Sequence, residues 1–217
     1  MIDYNSPGED VEYHITASGS INLSQYFKCF SNANIPDAGA SYSVTISAAL
    51  PNVNNPYQLI GKGLHPGHAF ITMTKSNGGQ TVSQTFGFYP INGRVSILMG
   101  EVASKVVDDG ASGFEHKTHA SLVLNGLTGS QFSMLQATSL RLASRNYDLN
   151  NFNCTDFALA IFNSVSSSSL IVPDWEIWPF NYGRTPNGLY KTLVSMSANP
   201  NVYIATTTAA TSHGPCY

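Results

Sequence analysis

The segment from His68 to Tyr89, HAFITMTKSNGGQTVSQTFGFY, leaves the chain little choice of local structure. Two arms rich in β-branched and aromatic residues flank Asn77-Gly78, a pair that tolerates the positive φ of a tight hairpin turn. A turn centred there sets Ala69, Ile71 and Met73 opposite Phe86, Gln84 and Val82. It places His68 across from Gly87, on the face that carries Thr85 and Tyr89. A strand pattern precedes the hairpin: from Ser41 to Leu50, Tyr42, Val44, Ile46 and Ala48 alternate with small polar residues until Pro51 stops the run. Val102 to Val107 and His119 to Leu124 have the same character, around a Gly-rich loop that holds Asp108 and Asp109.

Helical spacing takes over next. Thr128 with Gln131 three residues on is a capping-box pattern. Phe132, Leu135 and Leu142 follow as a stripe with Ala137 and Leu140 beside it. NCTDFALAIFNSV predicts a second helix, with Phe157, Ala158, Ile161, Phe162 and Val165 at three- and four-residue steps and a serine run after it. INLSQYFKCF, Ile21 to Phe30, reads as a short helix or a strand, and the Pro- and aromatic-rich chain after Val172 as extended or irregular. Together these predict an α+β domain, an antiparallel sheet of about five strands packed on two or more helices. The main domain is expected over 41–195, with an N-terminal arm over 1–40 and a tail over 196–217.

Apolar residues make up 42%, enough for a core, while only 11% are charged, and Ser, Thr, Asn and Gly fill the surface as in many exported proteins. The net charge is −3 and the 10 basic residues are scattered singly, so no nucleic-acid footprint exists. No apolar run approaches the roughly 18 residues of a membrane span. MIDYNSPGED lacks the basic-then-apolar order of a signal peptide, so export is expected to depend on another route or a larger parent chain. The 3 cysteines, Cys29, Cys154 and Cys216, are too widely spaced for a zinc ribbon or CxxC motif, and neither metal nor cofactor is expected. A Cys29–Cys216 disulfide would leave Cys154 as the free thiol.

Asn153 stands where an N-cap belongs, which puts Cys154 in the first helical turn. There the unpaired amides and positive dipole end favour thiolate, and Asp156 can cap the helix start. The competing reading is a small buried apolar residue. His68 opens its strand just after Pro66-Gly67, so it can face a cleft from a fixed backbone or be satisfied at a sheet edge. His65 with His68 forms an HxxH pair, but no carboxylate or thiol cluster lies near it in sequence. His116 and His119 read as loop residues. There is no GxSxG segment. Trp175, Trp178, Phe180 and Tyr182 either line a groove or pin the tail to the domain.

NCTDFALAIF resembles the Cys-bearing helix start of NlpC-type cell-wall peptidases, and GHAFITM followed by GFYP is similar to their His-bearing strand. Here His68 precedes Cys154, the order of the permuted papain-like branch that includes lecithin-retinol-acyltransferase-like proteins. The likeness is closer to bacterial domains with a GHxF…GFYP…YxLxxxNCTDFA pattern, found at the ends of secreted toxin-type proteins. Tyr147, Leu149 and TPNGLY (Thr185 to Tyr190) fit its remaining pieces.

The resemblance implies a cysteine amidase or peptidase with Cys154 as nucleophile, His68 as base and a thioester intermediate, over a domain from about Ser41 to Leu193. It leaves the third polar group open among Thr85, Tyr89, Gln84 and Asp109. The implied role is an exported effector, secreted or delivered by a secretion system. Its substrate would be a peptidoglycan peptide or a target protein, and its partner a cognate inhibitor protein. An acyltransferase or a non-catalytic binding module on the same scaffold are the alternatives.

Overall fold

The computed structural model describes residues 10–13, 19–59, 65–96, 100–178, 181–214 and 216. In chain order the first elements are β1 (Asp10–Glu12), α1 (Leu23–Tyr26) with a 3₁₀ turn over Phe27–Phe30, β2 (Ser41–Ala49), β3 (His68–Asn77), β4 (Gln80–Pro90) and β5 (Arg94–Ser96). Then come β6 (Ser104–Asp108), β7 (Lys117–Thr118), β8 (Ala120–Leu127), α2 (Gly129–Leu142) and α3 (Cys154–Asn163). The chain closes with β9 (Trp175–Trp178), β10 (Asn181–Gly183), α4 (Pro186–Ser195), β11 (Val202–Tyr203) and β12 (Thr207–Thr208).

The architecture is α+β. A 6-stranded sheet runs β11-β8-β2-β3-β4-β6, with every neighbouring pair antiparallel. The sixth strand relative to expectation is β11, whose two residues carry too little pattern to announce it. The apolar faces of α2, α3 and α4 bury against one side of the sheet, where Val44, Ile46, Ala48, Ala69, Ile71, Phe86 and Phe88 meet them. Phe157 of α3 stacks on Phe88 at 4.9 Å and 10° between ring planes. Each such fully buried side chain stabilises by about 1.5–3 kcal/mol. On the other side Ala49 and Phe70 form a small cluster with Ala209 of the C-terminal segment.

The β3–β4 register differs from the sequence expectation. Ile71 pairs with Phe86, Met73 with Gln84 and Lys75 with Val82, a shift of two positions. The cause is the turn. Asn77 and Gln80 are the last paired residues, and Gly78 (φ 57°) with Gly79 (φ 85°) forms the two-residue loop, one step later than Asn77-Gly78. A two-residue slip keeps each side chain on its face but moves its partner. Continued to the start of β3, it brings His68 to Tyr89 rather than to Gly87.

Both predicted helices are present, and Thr128–Gln131 closes a capping box at the start of α2. Of Ile21 to Phe30, Leu23–Tyr26 is α-helix capped by Asn22 and Phe27–Phe30 a 3₁₀ turn. The expectation of an irregular tail is corrected by α4. Thr185 caps it through the Gly188 N–H, and Pro186 stands in its first turn. Gly188 masked the helical pattern; it sits in a tight place, where a Cβ would lie 3.2 Å from Val172 Cγ1 and 3.3 Å from Thr185 Oγ1.

Candidate active site

Cys154 is the first residue of α3. The Asn153 side chain accepts from the N–H groups of Thr155 (2.7 Å) and Asp156 (3.4 Å), while Asp156 Oδ2 accepts from Asn153 N–H at 3.1 Å. Arg184 donates to the other Asp156 oxygen at 2.6 Å, so the helix start is braced from outside as well. Reciprocal capping fixes the first turn, and the thiol with it. The stretch between Leu142, the end of α2, and Cys154 is fastened by the Val102–Tyr147 backbone pair, which anchors Tyr147 beside the same helix start.

The structure brings His68 to this thiol and supplies a carboxylate behind it. His68 Nε2 lies 2.9 Å from Asp109 Oδ2, and the Tyr89 hydroxyl donates to Asp109 Oδ1 at 2.6 Å. Tyr89 also stacks on the imidazole, with centroids 4.3 Å apart and planes 26° from parallel. Asp109 reaches the ring because β6 pairs with β4 and its backbone continues the ladder, Asp109 N–H donating to Thr85 O at 3.0 Å. Gly87 makes room for the contact. A Cβ there would stand 2.1 Å from both His68 Nε2 and Asp109 Oδ2, in the middle of the hydrogen bond.

Of the four open third groups, Asp109 therefore faces His68 directly and Tyr89 acts on Asp109. Thr85 and Gln84 have other partners. Thr85 Oγ1 meets Thr72 Oγ1 at 2.8 Å and donates to Ala210 O, whereas Gln84 donates to Tyr26 O and Gly214 O. Asp109 sits in the Gly-rich loop after β6, and nothing in its local pattern distinguishes it from Asp108, which caps the Gly110 N–H at 3.0 Å.

Charge coupling is strong because the site is dry. Burial alone would lower the His68 pKa, but the Asp109 carboxylate outweighs it and, with a smaller contribution from Cys154, raises it to about 9. Burial pushes the Cys154 thiol up, but the facing imidazole, the Ala69 amide and the Thr155 hydroxyl bring it below an ordinary thiol. With Nε2 held by Asp109, the ring nitrogen left for sulfur is Nδ1. It is buried, and Cys154 acts on the ring through hydrogen bonding as well as charge. Burial also raises the pKa of Tyr13, Tyr89 and Tyr147, so all three phenols remain protonated donors at neutral pH.

The expected cleft is closed. Cys154 and Asp109 are 0% exposed and His68 is 2% exposed. Tyr13 packs edge-on to His68, Tyr89 and Tyr147, with centroids 6.3, 5.8 and 5.7 Å away, and its hydroxyl bonds that of Tyr147. Both phenols are close enough to the thiol to feel its charge. Tyr13 had no sequence signal, standing alone in a polar, turn-rich arm.

The remaining candidates do not join the Cys154–His68–Asp109 line, although His116 stands beside it. His65 Nδ1 donates to Glu12 O at 2.7 Å, so the HxxH pair diverges. His119 accepts the Leu50 N–H at 2.8 Å, and His116 stands 5.2 Å from the His68 ring without bonding it. Among the described residues no group of three or more His, Cys, Asp and Glu is arranged to hold a metal ion, and no helix is long and apolar enough to cross a membrane. Cys29 and Cys216 are joined as a disulfide, leaving Cys154 the free cysteine. Trp175 lies over the Lys191 ammonium of α4 at 4.2 Å, which pins it to the domain, while Phe180 lies outside the described residues.

No family model matches the chain, and no curated protein matches it. Among solved structures it is similar to the type VI secretion system effector TseH, with 15% identity and a TM-score of 0.37 over 62% of this chain and 84% of that one. The α+β assignment rests on the chain's own sheet and helices.

Proposed function

We propose that this protein is a cysteine hydrolase that cleaves an amide bond, with Cys154 as nucleophile, His68 as proton shuttle and Asp109 as the group that orients it. The observation that carries the reading is the buried line Cys154–His68–Asp109 at a capped helix start, with the imidazole held on its far side at 2.9 Å. A raised imidazole pKa beside a lowered thiol pKa favours a thiolate–imidazolium pair at neutral pH.

The thiolate attacks the carbonyl carbon, and the new oxyanion is held by the Cys154 amide, the first-turn N–H that Asn153 does not engage. His68 gives its proton to the leaving nitrogen as the C–N bond breaks, producing a thioester and a free amine. Water then attacks the thioester, His68 takes its proton, and the acid leaves as the thiolate–imidazolium pair is restored. Asp109 and Tyr89 keep Nδ1 aimed at sulfur throughout.

Alkylation of Cys154 against pH tests the pair. Wild type should keep substantial rate about two pH units below the ordinary thiol pKa of roughly 8.5. His68→Ala should return the profile to that of an ordinary thiol, and Asp109→Asn should move it part of the way. Identical profiles in wild type and His68→Ala would leave an inert module, the reading that complete thiol burial favours.

The biological role we propose is an exported bacterial effector acting on cell-wall peptides or a target-cell protein, held in check by a cognate inhibitor. Its supports are the charge-poor composition and the Cys29–Cys216 disulfide, a bond that persists in oxidising compartments. Growth of bacteria expressing wild type or Cys154→Ala, each with and without an export signal, tests it. Toxicity confined to the exported, thiol-intact form supports a wall amidase. Toxicity in the cytoplasm alone moves the substrate to proteins, and toxicity that survives loss of Cys154 overturns the reading.

A further inference from the structure

A hydrolase must admit its substrate, yet the thiol has no exposed surface. Among the described residues coupled to Cys154, His68 and Ala69 belong to the central sheet, Thr155 to α3, and Tyr147 to the chain bridged to Val102. Tyr13 alone arrives from a segment outside that frame. Its backbone is attached through an antiparallel ribbon, with Asp10 opposite Ser96, Val11 opposite Val95 and Glu12 opposite Arg94, and Tyr13 N–H donates to Gly93 O at 2.8 Å.

Among the described residues its backbone and charged groups are further held by a His65–Glu12 O hydrogen bond and an exposed Arg94–Glu12 ion pair at 3.1 Å, and its anchor in the domain is the Tyr13 ring with its bond to Tyr147. Exposed pairs contribute little, and a two-stranded ribbon is marginal by itself. In this sheet β5 has no partner other than β1. If β1 leaves, the β5 backbone groups that it paired are left without it, next to the place Tyr13 held over the thiol, and an extended peptide can pair there instead.

We propose that Asp10–Tyr13 occupies the place of the substrate: the groove over Cys154 takes an extended peptide that pairs with β5 and lays a planar side chain against His68, Tyr89 and Tyr147, and the chain's own segment keeps it shut. This rests on the thiol-hydrolase reading and adds to it a substrate class and a latent state. The aromatic slot supplies the selectivity, since ring edges on three sides and the Tyr147 hydroxyl match an aromatic side chain with a polar tip.

The test is iodoacetamide labelling of Cys154 in the full chain with its disulfide intact, followed by mass. Val11→Pro puts a residue without an N–H into the ribbon and leaves Tyr13 and the groups named around the thiol unchanged in sequence. It should label at least tenfold faster than wild type, and Tyr13→Ala is the second variant should Val11→Pro not fold. An acetylated, amidated Asp-Val-Glu-Tyr peptide should slow labelling of the opened variant, and the reversed sequence should not. Equal rates in wild type and both variants, or no protection by the peptide, overturn the proposal. The two readings fail separately. Fast labelling of the opened variant with an ordinary thiol's pH profile defeats the Cys–His pair and keeps the plug. Persistent reactivity at acid pH with no gain on opening keeps the pair and defeats the plug.

Discussion

Two segments near the ends of the chain lie against the domain, and they are fastened in opposite ways. The C-terminal one, Ala209 to Cys216, is tied to the β4 side at almost every step. Ala209 N–H donates to His116 O, Ser212 N–H to Gly110 O and His213 N–H to Ser83 O. Tyr26 and the Thr85 N–H both donate to Ser212 Oγ, Gln84 donates to Gly214 O, and Cys216 is bonded to Cys29. The N-terminal one, Asp10 to Tyr13, has its short ribbon, an imidazole–carbonyl bond and an exposed ion pair, with one phenol inserted over the thiol. Dense side-chain satisfaction with a covalent lock describes a permanent part of the fold. A short ribbon carrying one buried phenol over the thiol is the fastening of the cover proposed above, which leaves while the domain stays folded.

The largest effect expected on this contrast comes from the covalent lock. The double substitution Cys29→Ser with Cys216→Ser opens a loop spanning a sequence separation of 187 and should cost about 5 kcal/mol in denaturant unfolding. Below the transition, Cys154 labelling should change less than twofold. A tenfold rise there would mean that the tail, not the arm, covers the thiol.

Gly87→Ala should come next, at about 1–3 kcal/mol, because its Cβ falls between two rigidly held groups. It should also remove the acid-shifted reactivity of Cys154 without freeing the arm. Retained acid reactivity would show that the His68–Asp109 bond does not set it.

A smaller, pH-dependent effect isolates His68. In Cys154→Ala the opposing titration of the thiol is gone, and the imidazole pKa stays above its unfolded value of about 6.5 because Asp109, its main cause, remains. A raised pKa stabilises fully below the unfolded value and is lost as pH rises through the folded one. Unfolding free energy should therefore fall by on the order of 2 kcal/mol between pH 6 and pH 9, relative to the same variant carrying Asp109→Asn. A flat profile removes the ion pair. Arg94→Gln should be the mildest, within about 0.5 kcal/mol in stability, with a modest rise in Cys154 labelling.

Much of the fold was legible because the sheet and helix periods were strong. β2 alternates in sequence, the α2 capping box and the Asn153 N-cap could be located by spacing, and α3 was placed to its first residue. The register was missed by two because three consecutive candidates, Asn77, Gly78 and Gly79, all tolerate a turn, and sequence does not say which two take it. In the site, Cys154 and His68 were visible through local chemistry, a cap and a strand start. Asp109 was visible only as one of four alternatives, since its role depends on β6 pairing with β4. Tyr13 could not be read at all. Its position is set by a ribbon formed with residues far along the chain, a non-local pairing that leaves no periodic trace in three residues.

The burial of Cys154 also bears on how three thiols sort themselves into one correct bond. Disulfide exchange needs a thiolate that can approach the bond it attacks. Once α3 docks on β3, the third sulfur is enclosed, while Cys29 and Cys216 are brought together by contacts that Tyr26, Gln84 and Thr85 make with the tail. Early docking of α3 thus withdraws the one thiol that could scramble the pairing. A chain oxidised before that step would trap Cys154 in a mixed disulfide, and one oxidised after it would close Cys29–Cys216 alone. Oxidant added at intervals during refolding should separate these two products in time.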